Sequence, residues 1–187
     1  MKHSTCDIDI STGEYFEAWE WQNEPDVIED GVYLDHAYLE PGNPDWWSAE
    51  GQWEAFIFED AHNPDVAAAN GNCYLVYDWM DPTMGTTDIV CAYSNDNGDT
   101  FDTVQLTETG LENEKYPVVS VVGNTIICAY YLDGDIYTVI SEDGGTTWEQ
   151  QEGTVNEASG SVPDEYGAFT LAGQYIAWTD SSGDTND

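Results

Sequence analysis

Arginine is missing from the 187 residues, and lysine occurs only as Lys2 and Lys115 against 38 Asp and Glu, a formal charge of −36. Nucleic acid is excluded as a partner, because a phosphate backbone is bound through Lys and Arg that displace its counterions. Any site that grips a carboxylate through a guanidinium fork is excluded too, since lysine cannot supply that geometry. No apolar run approaches the roughly 18 residues of a membrane span, so no membrane insertion is expected. The opening MKHSTCDIDI lacks the apolar core of a secretory leader, so an exported form would have lost its leader. The four cysteines show no CxxC spacing, and His3, His36 and His62 show no HExxH pattern, so zinc is not indicated. Cys73 and Cys91 fall on two strands of one expected hairpin and could face each other, as a disulfide or as two buried thiols.

What is present argues for a folded domain. A hydrophobic content of 41% with 13% aromatics is enough to build a core at this length. Self-repulsion among so many carboxylates opposes compaction in dilute salt, so the working environment is expected to supply salt or divalent cations. An extracellular or cell-surface location fits that requirement, and the cytoplasm of a halophile is the alternative.

Short runs rich in Val, Ile, Tyr and Thr recur between Gly, Asn, Asp and Pro, and no helix is indicated. The fold class is therefore all-β. The octet SNDNGDTF begins at Ser94, and SEDGGTTW begins 47 residues later at Ser141. Gly71-Asn72 and Gly123-Asn124 turns recur at a similar interval. A period near fifty residues with four strands per unit describes antiparallel propeller blades. The units are placed at about 25–60, 64–107 and 116–153. A closing blade would combine 166–187 with 7–22, the latter read as strands C and D with a worn octet. Four blades then complete a ring; a portion of a larger propeller, or half-blades pairing between molecules as an oligomer or filament, are the alternatives.

Both octets resemble the Asp-box, or BNR repeat, of sialidase-like β-propellers. Ser94, Asp96, Gly98, Thr100 and Phe101 match one copy, and Ser141, Asp143, Gly145, Thr147 and Trp148 the other. The resemblance covers roughly residues 64–180. It implies that these turns join strands C and D and are structural: a short carboxylate accepts local amides, glycine permits positive φ, and the aromatic anchors the turn. It also implies that the ligand face lies elsewhere. Sialidases of this kind hold their substrate carboxylate with arginines, which this chain lacks, so that activity is not expected.

The role expected is binding or structural: recognition of a glycan or protein ligand. Exposed aromatics stack on sugars while carboxylates accept hydroxyl protons. Trp46, Trp47 and Trp53 on a long loop, with Trp79 and Trp178 at equivalent strand ends, are the ligand candidates; ordinary blade packing is the competing account of the last two. A fragment of a glycoside hydrolase is the second reading, with Glu59 and Asp60, or Asp78 and Asp81, as imaginable carboxylate pairs. A self-assembling surface filament or layer subunit is the third. Calcium is the candidate cofactor, with oxygen-rich loops offering Asp81 with Asp88 and Asp133 with Asp135 as ligands; solvated carboxylates are the bland account of them.

Overall fold

The computed structural model describes residues 3–21, 31–38, 56–108, 110 and 112–183. All regular structure among them is β. The strands are β1 (Ser4–Asp9), β2 (Glu14–Trp21), β3 (Gly31–Tyr38), β4 (Phe56–Glu59), β5 (Ala61–Ala69), β6 (Asn72–Met80), β7 (Thr87–Ser94) and β8 (Asp102–Gln105), followed by β9 (Lys115–Val122), β10 (Thr125–Leu132), β11 (Asp135–Ser141), β12 (Glu149–Gln150), β13 (Phe169–Ala172) and β14 (Tyr175–Trp178). They form antiparallel meanders in chain order: β1–β4, β5–β8, β9–β12 and the pair β13–β14. The first strand of each sheet lies beside the first strand of the next, β1 against β5, β5 against β9, and β9 against β13. This is a partial β-propeller, with four-stranded blades fanned around an axis lined by β1, β5, β9 and β13.

The middle blade shows why the pattern was legible. Along β6 every residue from Cys73 to Asp78 is buried. Successive side chains on a strand point to opposite faces, so Cys73, Leu75 and Tyr77 pack toward the first blade with Phe16, Ala18, Val32 and Leu34. Tyr74 and Val76 pack toward the third with Ile126, Cys128 and Tyr130. A fully buried aliphatic side chain is worth about 1.5–3 kcal/mol, and β6 collects that on both faces. The third blade repeats the device, with Ala129, Tyr131 and Ile136 packed against Ala168 and Phe169.

The same alternation separates the cysteines. Cys73 pairs with Ser94 and Cys91 with Val76, which puts the two thiols on opposite faces of one sheet. They are free and cannot face each other.

The N-terminal segment differs from its expected place. Residues 7–22 do not pair with 166–178; β2 pairs with β3 along its whole length, from Glu14↔Tyr38 to Trp21↔Gly31, and β1 pairs with β2. The turn after Asp9 is an A-to-B hairpin, closed by the Ser11 amide and hydroxyl donating to Asp9 Oδ1 at 2.8 and 2.6 Å. GVYLDHAY is consequently the third strand of its blade rather than the second, and the expected strand at 25–30 lies outside the described residues.

Edge amides of the inner strands have no ladder partner across the axis, and carboxylates take that role. Ala68 N donates to Asp7 at 2.8 Å, Gly71 N donates to Asp9, and Val119 N donates to Asp65 at 2.8 Å. Thr5 donates to the other Asp65 oxygen at 2.8 Å. Asp65 thus joins three blades.

Candidate functional site

The two octets adopt one hydrogen-bond pattern. In the first, Gly98 N donates to Ser94 Oγ at 2.9 Å, and Thr100 donates its amide and hydroxyl to Asp96 at 3.0 and 2.6 Å. In the second, Gly145 N reaches Ser141 Oγ at 2.8 Å, and Thr147 binds Asp143 at 2.8 and 2.7 Å. Donation from Thr100 to Asp96, and from Thr147 to Asp143, holds both carboxyls below the ordinary range. Each turn also docks on the preceding blade: Phe101 meets Phe56 edge-on with centroids 4.8 Å apart, while Trp148 joins the core between the second and third blades. With their carboxylates saturated locally, these turns are joints.

The cavity lies elsewhere, at the ends of the inner strands from which the second and third blades begin. It is an open depression of about 480 Å³ lined by His3, Glu20, His62, Asn63, Tyr116, Asp164, Glu165 and Tyr166. Two inner strands, β5 and β9, deliver His62, Asn63 and Tyr116 through a shared irregularity, while β2 supplies Glu20 and the segment before β13 supplies Asp164, Glu165 and Tyr166. The register of β5 on β6 shifts between His62 and Asp65, and that of β9 on β10 shifts opposite Ala129 and Tyr131. Asn63 and Tyr116 there have φ of 50° and 54°. Each precedes a proline, and β-bulges with left-handed residues concentrate where a strand must re-aim a side chain.

Glu20 is the centre of the arrangement. Its carboxylate is 2% exposed, with His3 Nδ1 at 3.1 Å, His62 Nδ1 at 3.3 Å and the Asn63 amide donating at 3.2 Å. Burial alone would raise its pKa, but the His62 and Asn63 hydrogen bonds and the charge of the histidines outweigh it and bring it to about 2. An ionised carboxylate only accepts, so both rings carry their proton on Nδ1. Asn63 links this group to a second buried acid: its Nδ2 donates to Asp78 Oδ2 at 2.8 Å, and Tyr116 N donates to the same oxygen at 3.3 Å. Burial dominates at Asp78 and pushes its pKa up to about 6.

Aromatic rings complete the lining. Tyr166 stacks on His3 with centroids 3.8 Å apart and meets Tyr116 edge-on at 6.4 Å. Lys115 donates to both Asp164 oxygens at 3.2 and 3.0 Å, and its Nζ lies 6.0 Å from the centre of the Tyr116 ring.

The residues singled out in the sequence are mostly not here. Trp46, Trp47 and Trp53 lie outside the described residues. Trp79 packs against the core between the first two blades, and Trp178 is 38% exposed on β14; neither lines the cavity. Glu59 and Asp60 are exposed. Asp81 Oδ1 receives the amides of Thr83 and Met84 at 2.6 and 3.2 Å. Asp88 is buried, and burial, with Asp81 and Glu108 nearby, raises its pKa. Asp133 holds the left-handed position of the β10–β11 turn at φ 50°. Both Asp135 oxygens are taken, by Asn156 Nδ2 at 2.7 Å, Gly160 N at 2.7 Å and Ser159 Oγ at 2.9 Å. Among the described residues no three His, Cys, Asp or Glu side chains are grouped so as to hold a metal ion. His3 and His62, unremarkable in sequence, are instead brought together by Glu20, while His36 lies 3.7 Å from Glu14.

No family model and no curated protein matches the sequence. Solved structures match the fold. An N-acetylgalactosamine deacetylase from F. plautii, in complex with blood group B trisaccharide, is similar over 79% of this chain and 50% of its own, with a TM-score of 0.53 and 15% identity. An α-L-arabinofuranosidase from Fusarium graminearum is similar over 84% and 48%, with a TM-score of 0.53 and 14% identity. A Hadza microbial sialidase is similar over 76% and 35%, with a TM-score of 0.52 and 14% identity. The chain spans half or less of each of these structures. Glycan-acting propellers are therefore its neighbours at the level of fold.

Proposed function

We propose that the chain is a glycan-recognising β-propeller working outside the cell or at its surface, with its sugar site in the cavity around Glu20. The observation that carries this reading is the union, in a cavity of about 480 Å³, of two tyrosine rings with histidines and carboxylates. Ring faces and edges serve the apolar side of a sugar, polar groups serve its hydroxyls, and the volume falls within the usual range for small-ligand sites. Enzymes named for glycan substrates among the structural neighbours support the same reading. The octets, which resemble Asp-boxes in sequence, act in it as blade joints. Binding to an array of neutral and amino glycans, followed by titration of the best ligand against Tyr166→Ala and Tyr116→Ala, tests it. Both substitutions should abolish or strongly weaken binding in variants that circular dichroism shows to be folded, although Tyr116 also packs on the third-blade core. A blank array, or affinity indifferent to both changes, would sink the reading.

A glycoside hydrolase is the second reading, and one observation favours it. Glu20 and Asp78 share Asn63 as a bridge, yet their acidities are driven apart, to about 2 and about 6. Separated pKa values in neighbouring carboxyl groups are the pattern of a base and an acid; here Glu20 lines the cavity and Asp78 is buried, joined to it through Asn63. Turnover of a neutral aryl glycoside, lost on Asp78→Asn, would select this reading over simple binding.

A further inference from the structure

The glycan reading can be sharpened by charge. Resting on that reading, we infer that the sugar preferred by the Glu20 cavity carries a free amine, as in a 2-amino-2-deoxy sugar in its ammonium form.

Three carboxylates line the cavity, those of Glu20, Asp164 and Glu165; Glu20 is faced by the imidazoles of His3 and His62 and Asp164 by Lys115, and the whole lies within a chain whose formal charge is −36 and which has no arginine. Acidic walls inside an acidic molecule concentrate cations and repel anions, so uronates and sialic acids are disfavoured. A neutral sugar would be indifferent to that field; an ammonium sugar would be drawn in. The rim already holds an ammonium of the protein's own. Lys115 Nζ is bound by both oxygens of Asp164 at 3.2 and 3.0 Å and lies 6.0 Å from the centre of the Tyr116 ring. An aromatic ring and a carboxylate on either side of an amine form the combination by which proteins recognise organic cations. Glu165, the next residue in sequence, also lines the cavity. A ligand amine placed there meets Glu165 and the tyrosines, and it competes with Lys115 for Asp164.

This competition gives the inference a test of sign. Calorimetric titration of the full chain at about pH 6 would compare fully deacetylated chitotetraose, its fully N-acetylated counterpart and tetragalacturonate. The deacetylated oligomer should bind about tenfold more tightly than the acetylated one at ~0.15 M salt, a gap of about 1.4 kcal/mol that narrows as salt is added. Tetragalacturonate should not bind. Lys115→Met, by releasing Asp164, should widen the ratio of amine to acetylated affinity severalfold, and Glu165→Gln should shrink it. Equal affinity for the two oligomers, or a ratio that falls in Lys115→Met, overturns the amine inference and leaves the glycan reading standing. Failure of both oligomers to bind overturns the two together. Stoichiometry well above one, undiminished by Tyr166→Ala, would mean condensation of a polycation on an acidic surface and would likewise overturn the assignment.

Discussion

Tyr74 in the second blade donates its hydroxyl to the carbonyl of Gly144 in the third at 3.1 Å, so the octet of one blade is fastened to the sheet before it. The neighbouring Gly145 has φ of 90°, and a Cβ there would stand 3.0 Å from the Tyr74 ring. In the first octet a Cβ on Gly98 would stand 2.8 Å from Phe16, the third residue of β2, as Tyr74 is the third of β6. The two joints are built alike.

Gly145→Ala should therefore cost more than Gly123→Ala. Both positions have positive φ, but a Cβ on Gly123 meets nothing within 4 Å, so its penalty is the backbone term alone, about 1–2 kcal/mol. Denaturant unfolding of the two variants isolates the excess due to contact with Tyr74. Tyr74→Phe, which removes only the hydrogen bond, should cost about 1 kcal/mol.

Acidity separates Glu20, which lines the cavity, from Asp78, the buried carboxyl joined to it through Asn63. Asp78 has a folded pKa near 6 against an ordinary 3.8, so the folded state holds its proton more tightly than the unfolded chain. Its contribution to stability is complete below about pH 4 and is lost as pH rises through about 6. The loss is on the order of 2–3 kcal/mol. Asp78→Asn should flatten the stability profile across that window, measured as thermal midpoint against pH, and gain relative to the parent at neutral pH.

Glu20 runs the other way. Its folded pKa of about 2 lies below the ordinary 4.5, so its stabilisation is complete above the ordinary value and is lost as pH falls through 2. Glu20→Gln removes the charge that both histidines face and should destabilise the neutral-pH protein by about 1–3 kcal/mol. Thermal unfolding and the histidine resonances of the variant check this together.

Asp96→Asn and Asp143→Asn should each lower the thermal midpoint, because the amide can no longer accept from both the amide and the hydroxyl of Thr100 or Thr147. Both carboxyls titrate below the ordinary 3.8, so the parent should keep these joints to pH values below 3.8 and lose them only on further acidification. Near-ultraviolet dichroism of Trp148 reports the second joint directly.

Screening supplies the broadest expectation. With a formal charge of −36, the midpoint should climb with potassium chloride and flatten once the screening length is shorter than the spacing of surface carboxylates, about 3 Å at 1 M. Calcium compared with magnesium at matched ionic strength tests the proposed calcium dependence: a specific rise with calcium supports a bound ion, and equal curves reduce the effect to screening.

The second and third blades were readable because their strands are buried on both faces and their octets repeat residue for residue. The first was misaligned because residues 39–55 stand where its octet would be, and the turn at Asp9 has the Asp, Ser and Gly of a worn copy. The cavity was hidden for another reason. Glu20 meets His3 across 17 residues and His62 across 42, distances that no local motif spans. One trace was available: Asn63-Pro64 and Tyr116-Pro117 occupy the same point of successive units, and proline after a residue forced into a left-handed turn marks each bulge. Tryptophan offers the largest stacking surface in the sequence, whereas the cavity relies on tyrosine and histidine.

The carboxylates that clasp neighbouring blades near the axis set a limit on redesign. Anyone wishing to bleach this chain of charge so that it works in dilute buffer could neutralise acids that accept no structural hydrogen bond, but Asp7, Asp9 and Asp65 hold amides of an adjacent inner strand or of the turn that ends it. Replacing them would loosen the hub from which the sheets radiate, so a desalted descendant of this protein must keep its innermost acids along with those of the octets and Glu20.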